Sequence, residues 1–552
     1  MATAPSFSRT RNPWFMLLIL CLGFFMILLD LTIVNIAIPS MIDNLHASLD
    51  QILWVLNAYI LTYAVLLITA GRLGDMFGPK LMFLIGLAAF TLASIACSLA
   101  PTPGVLIAAR IAQGVGGAIL TPQTLSMLTN IFPPERRGAA FGVWGAVAGV
   151  ASVTGPTLGG FLVTNYDWRA VFWVNVPVGV AALALGGWYL PELRFNRRHS
   201  LDLVGVLLIS AALFLGVFGL IEGQRYHWGP LTETATFDVG GGHWGLISIP
   251  TTFVLGVVLL GLFVLWERRR EEPLVPFVLF RQRNFTIGNL LAAIVSFGMM
   301  GLFLPLTIFL QSVLGFSALK AGLTFAPMSL VSMVVAPVAG RLSDRYGGKY
   351  ILISGLTLFA SGMGLVLWSA SLTATQFTFT LPTMVAGLGL GCTFAPMTTV
   401  TMRRVEGRMA GAASGVLNTI RQVGGAIGSA AVGAILQNEL ASQLTVQAEA
   451  FASRIPAAFR SQFIAGLSGA GSALEVGPRR SVTLPPGLPP QTAQTIREAA
   501  HDAFATAYLN AMRPSLLVPI AVLLGGAALG TLIVRRKRFE TPVAQQAASA
   551  AS

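Results

Sequence analysis

Fourteen apolar runs, most of them about 20 residues long, set the terms for everything else in this sequence. They span residues 14–39, 51–71, 81–99, 105–131, 138–162, 170–190, 203–222, 246–266, 287–313, 320–341, 349–369, 376–402, 411–436 and 514–535. At roughly 1.5 Å of rise per residue, each run can cross about 30 Å of hydrocarbon as a helix. Membrane strands are excluded, because the runs are too long and do not alternate in polarity. Only 10% of the 552 residues are charged, against about 25% in soluble domains, so the charges cannot cover a globular surface. The fold class is therefore an all-α polytopic membrane protein with 14 transmembrane helices. The first run follows Arg9 and Arg11 like a secretory signal, but it is too long, contains Asp30 and ends at Pro39 without a small-x-small cleavage site. It reads as a retained first helix. Cys21, Cys97 and Cys392 all lie inside apolar runs and form no spaced disulfide or zinc framework.

The 35 Lys and Arg against 22 Asp and Glu give a net charge of +13, which by itself would raise nucleic acid as a partner. The positions of the charges argue otherwise. Every second loop is basic: Arg72 and Lys80; Arg136 and Arg137; Arg194, Arg197 and Arg198; Arg268, Arg269, Arg270, Arg281 and Arg283; Arg341, Arg345 and Lys349; Arg403, Arg404 and Arg408. With Arg9, Arg11, Arg535, Arg536, Lys537 and Arg538 in the tails, 24 of the 35 basic residues fall on one side. Such a bias marks the cytoplasmic face. The charge thus describes orientation, with both termini cytoplasmic in an inner (plasma) membrane and no nucleic-acid partner.

The sequence contains an internal repeat. Gly71-Arg-Leu-Gly-Asp-Met-Phe-Gly-Pro-Lys80 recurs as Gly340-Arg-Leu-Ser-Asp-Arg-Tyr-Gly-Gly-Lys349, each copy following the second helix of a group. The chain then divides into a tail (1–13), a six-helix bundle (14–190), a linker with two extra helices (191–286), a second six-helix bundle (287–535) and a cytoplasmic tail (536–552). Paired six-helix halves are a transporter architecture, with the substrate path at their interface. Between the last two runs, residues 437–513 form a long outer loop. Phe451, Ile455, Phe459 and Phe463 recur at every fourth position, and Pro485, Pro486, Pro489 and Pro490 mark a turn. Ile496, Phe504 and Tyr508 then suit an amphipathic helix. One or two short helices on the outer surface are expected.

Several segments resemble the major facilitator superfamily, and within it the fourteen-helix drug:proton antiporters. Leu29-Asp-Leu-Thr-Ile-Val-Asn-Ile-Ala-Ile-Pro39 is similar to that family's first-helix signature, and the two decapeptides resemble its loop motif. Arg110-Ile-Ala-Gln-Gly-Val-Gly-Gly117 resembles its fourth-helix motif. Gly149 with Gly155, Pro156, Gly159 and Gly160 resembles the fifth-helix motif of exporters, and Asp167-Trp-Arg169 followed by Asn175-Val-Pro177 also fits. The resemblance covers nearly the whole chain. Met76 and Pro79 depart from it where basic residues are usual. It implies a carrier and not an enzyme. Such a carrier expels amphipathic or cationic drugs by alternating access, needs no cofactor or metal, and draws on a proton gradient. Its partners are a small-molecule substrate, protons and the lipid bilayer, with accessory envelope proteins left open. Export of one dedicated metabolite, antibiotic, siderophore or lipid is the alternative, and a non-transporting receptor on the same fold a third. No Walker-type phosphate loop argues for ATP drive.

The charges left inside the runs carry the sharpest expectations. Asp30 lies about 13 Å inside the outer end of its helix. A carboxylate there must be paired, hydrated or protonated, which suits a proton carrier; the alternative is a structural bond to backbone or Asn35. Arg110 keeps its charge and needs an anion or carbonyls. It either reaches Asp30 or snorkels to the outer interface, and the family pattern puts it in the proton relay. Arg421 contacts substrate or a carboxylate, or else ties the halves together. Asn35, Tyr59, Gln113, Gln123, Gln311 and Asn418 are the candidate polar lining of an otherwise apolar substrate cavity. In the loop motifs, Gly71, Arg72, Asp75, Gly78 and Lys80, with Gly340, Arg341, Asp344, Arg345, Gly347 and Lys349, suggest a latch. Asp75 and Asp344 can bond the free amides of a neighbouring helix N-terminus, with Arg72 or Arg341 sharing the site. In the fifth helix, Gly149, Gly155, Gly159 and Gly160 permit close packing and Pro156 a kink.

Overall fold

The computed structural model describes residues 12–193, 202–223, 225–226, 228–231, 236–239, 242–245, 247–469 and 490–534. Arg9, Arg11, Arg194, Arg197, Arg198, the basic tail after Val534, and Pro485, Pro486 and Pro489 lie outside them.

The first half runs α1 Pro13–Leu45, α2 Leu49–Phe77, α3 Pro79–Ser98, α4 Pro103–Ile131, α5 Arg137–Asn165, and the broken sixth segment α6 Ala170–Trp173 and α7 Asn175–Tyr189. Two helices follow, α8 Leu203–Glu222 and α9 Ile249–Glu267, joined through a small antiparallel hairpin of β1 Thr236–Val239 and β2 Gly242–Gly245. That hairpin is one addition to the all-α expectation. The second half is α10 Arg283–Ile308, α11 Ala318–Thr324, α12 Ala326–Tyr346, α13 Gly348–Ser369, α14 Thr380–Met402, α15 Ala410–Ala452, α16 Arg460–Gly469 and α17 Pro490–Gly530. Among the described residues, fourteen helical spans are long and apolar enough to cross a membrane, as the fourteen runs predict.

Local chemistry sets the helix starts. Ser48 and Gln51 form a capping box on α2, Thr102 caps α4 and Asp202 caps α8. The helix ends differ from the apolar runs in two places. α1 continues past Pro39 to Leu45, and the outer loop is mostly helix extension. α15 runs on to Ala452 and α17 begins at Pro490. Among the described residues between them, α16 is a separate short helix, preceded by a 3-10 turn at Ala457–Phe459. The expected surface helices are therefore corrected to two projecting membrane helices. Their polar segments pack on each other through buried Leu440, Leu444, Ile496 and Tyr508, the last donating a hydrogen bond to the Pro305 carbonyl at 2.9 Å. Apolar periodicity alone does not show a membrane helix that continues into water.

The two halves repeat one packing plan. α3 packs on α4 as α13 does on α14, α1 on α5 as α10 on α15, and α3 on α7 as α13 on α17. Across the halves, α2 packs on α15 and α5 on α12. α8 lies over the α2–α15 seam, where Val217 joins Leu61, Ala64 and Val65 in a small apolar cluster.

Candidate functional site

The site has two parts: a buried polar network in the first half and a pair of clamps between the halves.

The network centres on Asp30 of α1, which is 0% exposed, and Arg110 of α4, which is 1% exposed. Arg110 Nη1 donates to Asp30 Oδ2 at 2.5 Å and to Gln113 Oε1 at 2.6 Å, and Nε donates to the Val55 carbonyl of α2 at 3.1 Å. Gln113 Nε2 donates to Asp30 Oδ1 at 2.8 Å and to Ser94 Oγ of α3 at 2.9 Å. Asn175, at the start of α7, donates to Asp30 Oδ1 at 3.3 Å. The Arg110 guanidinium lies 4.3 Å from the centre of the Tyr59 ring. Groups from five membrane segments thus join one network around this carboxylate. The snorkelling alternative for Arg110 is overturned, because the guanidinium finds its anion inside the bundle. The structural alternative of an Asp30–Asn35 bond is also excluded: Asn35 is exposed and donates to its own helix at Leu31.

Sequence reasoning names Asp30 and Arg110 for this network, takes Gln113 and Tyr59 as cavity lining although both are fully buried here, and misses Ser94, Asn175 and the Val55 carbonyl. Asn175 had a signal, as a polar side chain inside a run, read only as part of a family pattern. The other candidate polar residues do not join this cluster. Gln123 bridges helices, its Nε2 donating to the Ala70 carbonyl at 2.9 Å and the Ile119 carbonyl at 3.1 Å. Gln311 is half-buried in a π-helical turn, Phe309–Val313, that ends α10. Asn418 donates to the Ser414 carbonyl at 2.9 Å and accepts from Arg421 at 3.4 Å.

The clamps sit at the end of the bundle that carries the basic loops. Asp75, at the end of α2, accepts from the Gly411 and Ala412 amides at 2.8 Å each. Asp344, at the end of α12, accepts from the Gly138 amide at 2.8 Å and the Ala139 amide at 3.0 Å. Each carboxylate therefore caps the first turn of a helix in the opposite half. It satisfies two free donors and faces the positive end of the helix dipole. Glycines make the approach possible. A side chain at Gly71 would strike the Gly411 carbonyl, and one at Gly340 the Gly138 carbonyl. Gly415 and Gly142 extend the same contacts one turn further. The partners of the latch were legible in a second repeat that sequence reading overlooks: Gly138-Ala-Ala-Phe-Gly142 and Gly411-Ala-Ala-Ser-Gly415.

The remaining motif residues have other tasks. Gly78 and Gly347 turn the chain with φ of 96° and 87°, a region that favours glycine. Lys80 reaches the Gly187 carbonyl near the end of α7 and Lys349 the Thr531 carbonyl after α17, so each ties down a helix end within its own half. Arg72 pairs with Glu272, in the segment after α9, at 3.7 Å. Arg341 is exposed and lines one pocket with Asp344, Glu135 and Arg136, and Arg403 is a further cation bearing on Asp344. Arg345 lies against its neighbour Tyr346.

In the fifth-helix motif, Gly149 meets the Ser329 carbonyl of α12, across the halves. Gly155 meets Thr32 and Gly159 meets Ile33, both on α1. A side chain at Gly160 would enter open space. The side chain of Pro156 lies outside the described residues.

With this geometry in hand, comparison with known proteins gives a consistent result. Residues 20–429 match the Major Facilitator Superfamily. The chain is 41% identical, over 79% of its length and 72% of the relative's, to an uncharacterized MFS-type transporter of Mycobacterium tuberculosis. It is 33% identical to the tetracenomycin C resistance and export protein of Streptomyces glaucescens, over 96% of this chain and 93% of that one. In fold it is similar to the human organic anion transporter MFSD10, with a TM-score of 0.56, 14% identity, and coverage of 93% of this chain and all of the other.

Proposed function

The chain belongs to the Major Facilitator Superfamily, and from that membership we propose that it is a proton-coupled exporter of amphipathic or cationic drugs in the inner (plasma) membrane. It is a carrier and not an enzyme. The export reading draws on the relative that is a resistance and export protein. The observation that carries the proton reading is a buried carboxylate with three side-chain donors around it. Asp30 accepts from Arg110, Gln113 and Asn175.

Ionised, Asp30 neutralises Arg110 and holds α1, α4 and α7 together. Protonated, it no longer pairs with the guanidinium. Arg110 is then a buried cation without an anion, which is a costly arrangement. The first half must rearrange or hydrate to relieve it. A proton arriving at Asp30 is therefore a conformational input, and release of that proton on the other side resets the network. The clamps supply the second requirement. They close one end of the path between the halves, and they must break for that end to open. The basic loops mark that end as cytoplasmic under the positive-inside bias. The described state is then outward-facing, with both termini inside.

The test is efflux of a dye and drug panel from cells carrying the full chain, with and without a protonophore. Efflux should stop when the proton gradient collapses. Efflux that continues at the same rate removes proton coupling from the account.

A further inference from the structure

Among the described residues, Arg421 is a half-buried charge that neither the network nor the clamps use. Arg421 lies eleven residues into α15, roughly 16 Å from its basic end and so near the middle of the bilayer. Its Nη1 makes one long bond, 3.4 Å, to Asn418 on its own helix. Its guanidinium carbon stands 5.1 Å from the centre of the Phe394 ring of α14, and its Nε is buried with no acceptor. Across the interface, its charge acts on Tyr63 of α2. The Tyr63 hydroxyl is already committed to Thr121 at 3.1 Å. Among the described residues no carboxylate lies within ion-pair distance of Arg421. Asp30 belongs to Arg110, and Asp75 and Asp344 belong to helix N-termini.

Arg421 is also not part of the repeated plan. The clamp glycines Gly138 and Gly411 occupy matching places in α5 and α15, so the match to Arg421 in the first half is Ala148. A guanidinium keeps its charge at any accessible pH. Held near the middle of a membrane without an anion, it is costly, and such residues mark ligand paths. Two features define what would relieve it: a planar donor set with an unpartnered Nε, suited to an oxyanion, and the Phe394 ring beside it as a surface for an apolar body.

We propose that Arg421 anchors an anionic group on the exported compound, so that the substrate is an amphipathic acid: a carboxylate, sulfonate or ionised phenol on an aromatic or aliphatic body. This rests on the exporter reading and replaces its cationic option. Moving an anion from the basic face outward also runs down an inside-negative membrane potential.

Three probes sharing one aromatic body test it: pyrenebutyrate, pyrenebutanol and pyrenebutyltrimethylammonium. Their binding to the purified full chain in lipid nanodiscs is measured by fluorescence, without any gradient. The anion should bind at least about tenfold tighter than either other probe. Arg421→Gln should erase that preference, Arg421→Lys should keep part of it, and Arg421→Glu should favour the cation. Equal binding of the three probes by the wild-type chain, or an anion preference that survives Arg421→Gln, overturns the proposal. The wild-type comparison needs no variant to fold. Export separates this proposal from the one beneath it. Anion-selective binding without proton-driven efflux of pyrenebutyrate sinks the exporter reading alone. Efflux of all three probes alike sinks the anion proposal alone.

Discussion

The two six-helix halves share a clamp and differ at their centres. Gly116 and Gly389 show that α4 and α14 superpose: each packs against a glycine carbonyl and a phenylalanine amide of the preceding helix, Gly86 and Phe90 in one half, Gly355 and Phe359 in the other. On that match, Arg110 corresponds to Thr383, Gln113 to Ala386 and Ser94 to Met363. Thr383 is buried and bonds only to carbonyls of its own turn, at Phe379 and Thr380, and Ala386 and Met363 are buried apolar residues. The first half has a polar centre built around one carboxylate, whereas the second half is apolar there and keeps a lone arginine one helix away. The clamps, by contrast, are the same atoms in the same places twice. Closure is thus a symmetric task that duplication leaves intact, and the chemistry is asymmetric. We assign the proton to one half and the substrate contact to the other.

The largest expected effect follows from breaking the polar centre. Arg110→Ala leaves Asp30 buried and unpaired, which costs about 3–5 kcal/mol for a broken buried pair. Thermal unfolding in detergent should show that loss, whereas Thr383→Ala at the matching place should cost about 1 kcal/mol or less, since only bonds to its own turn are removed. Comparable losses at both positions would dissolve the asymmetry. The double variant Asp30→Asn/Arg110→Gln should recover much of the stability and none of the uphill transport, because it replaces the ion pair by neutral partners but carries no proton.

Next come the clamps. Asp75→Asn and Asp344→Asn each remove a charge-assisted cap on the opposite half, about 1.5–3 kcal/mol for bonds to a charged group. Asp75 is 2% exposed and Asp344 is more open to solvent, so the first should open the basic end more. Spin-label distances between the basic ends of α2 and α15, and of α5 and α12, read this directly. No change in either distance would contradict the role given to both clamps.

How far the sequence carries can be judged from these same residues. The fourteen runs, the repeat and the basic loops suffice for the architecture, because membrane insertion is governed by local composition. Asp30 and Arg110 stand out because charge in a run is rare. Ser94 and Asn175 do not, because small polar residues in membrane helices are common and only their convergence in space makes a network. The clamp acceptors were legible in the loop motif. Their donors are backbone amides, whose only trace in sequence is the glycine spacing that lets helices touch.

The smallest effect sharpens the exporter-motif helix. Gly155→Ala would force a methyl group into Thr32, and Gly160→Ala would meet nothing. Transport should fall severalfold in the first variant and stay at the wild-type level in the second. Equal loss in both would mean that the motif acts through helix flexibility and not through packing on α1.

The most direct test of the account is proton movement linked to substrate. Full-length protein is reconstituted in liposomes holding a pH-sensitive dye, and an outward gradient of the compound with the largest efflux in the panel is imposed. Wild type should move protons inward as the compound leaves, and Asp30→Asn should bind the compound and move no protons. Substrate-linked proton flux that persists in Asp30→Asn would contradict the assignment of the proton to the first half's buried carboxylate.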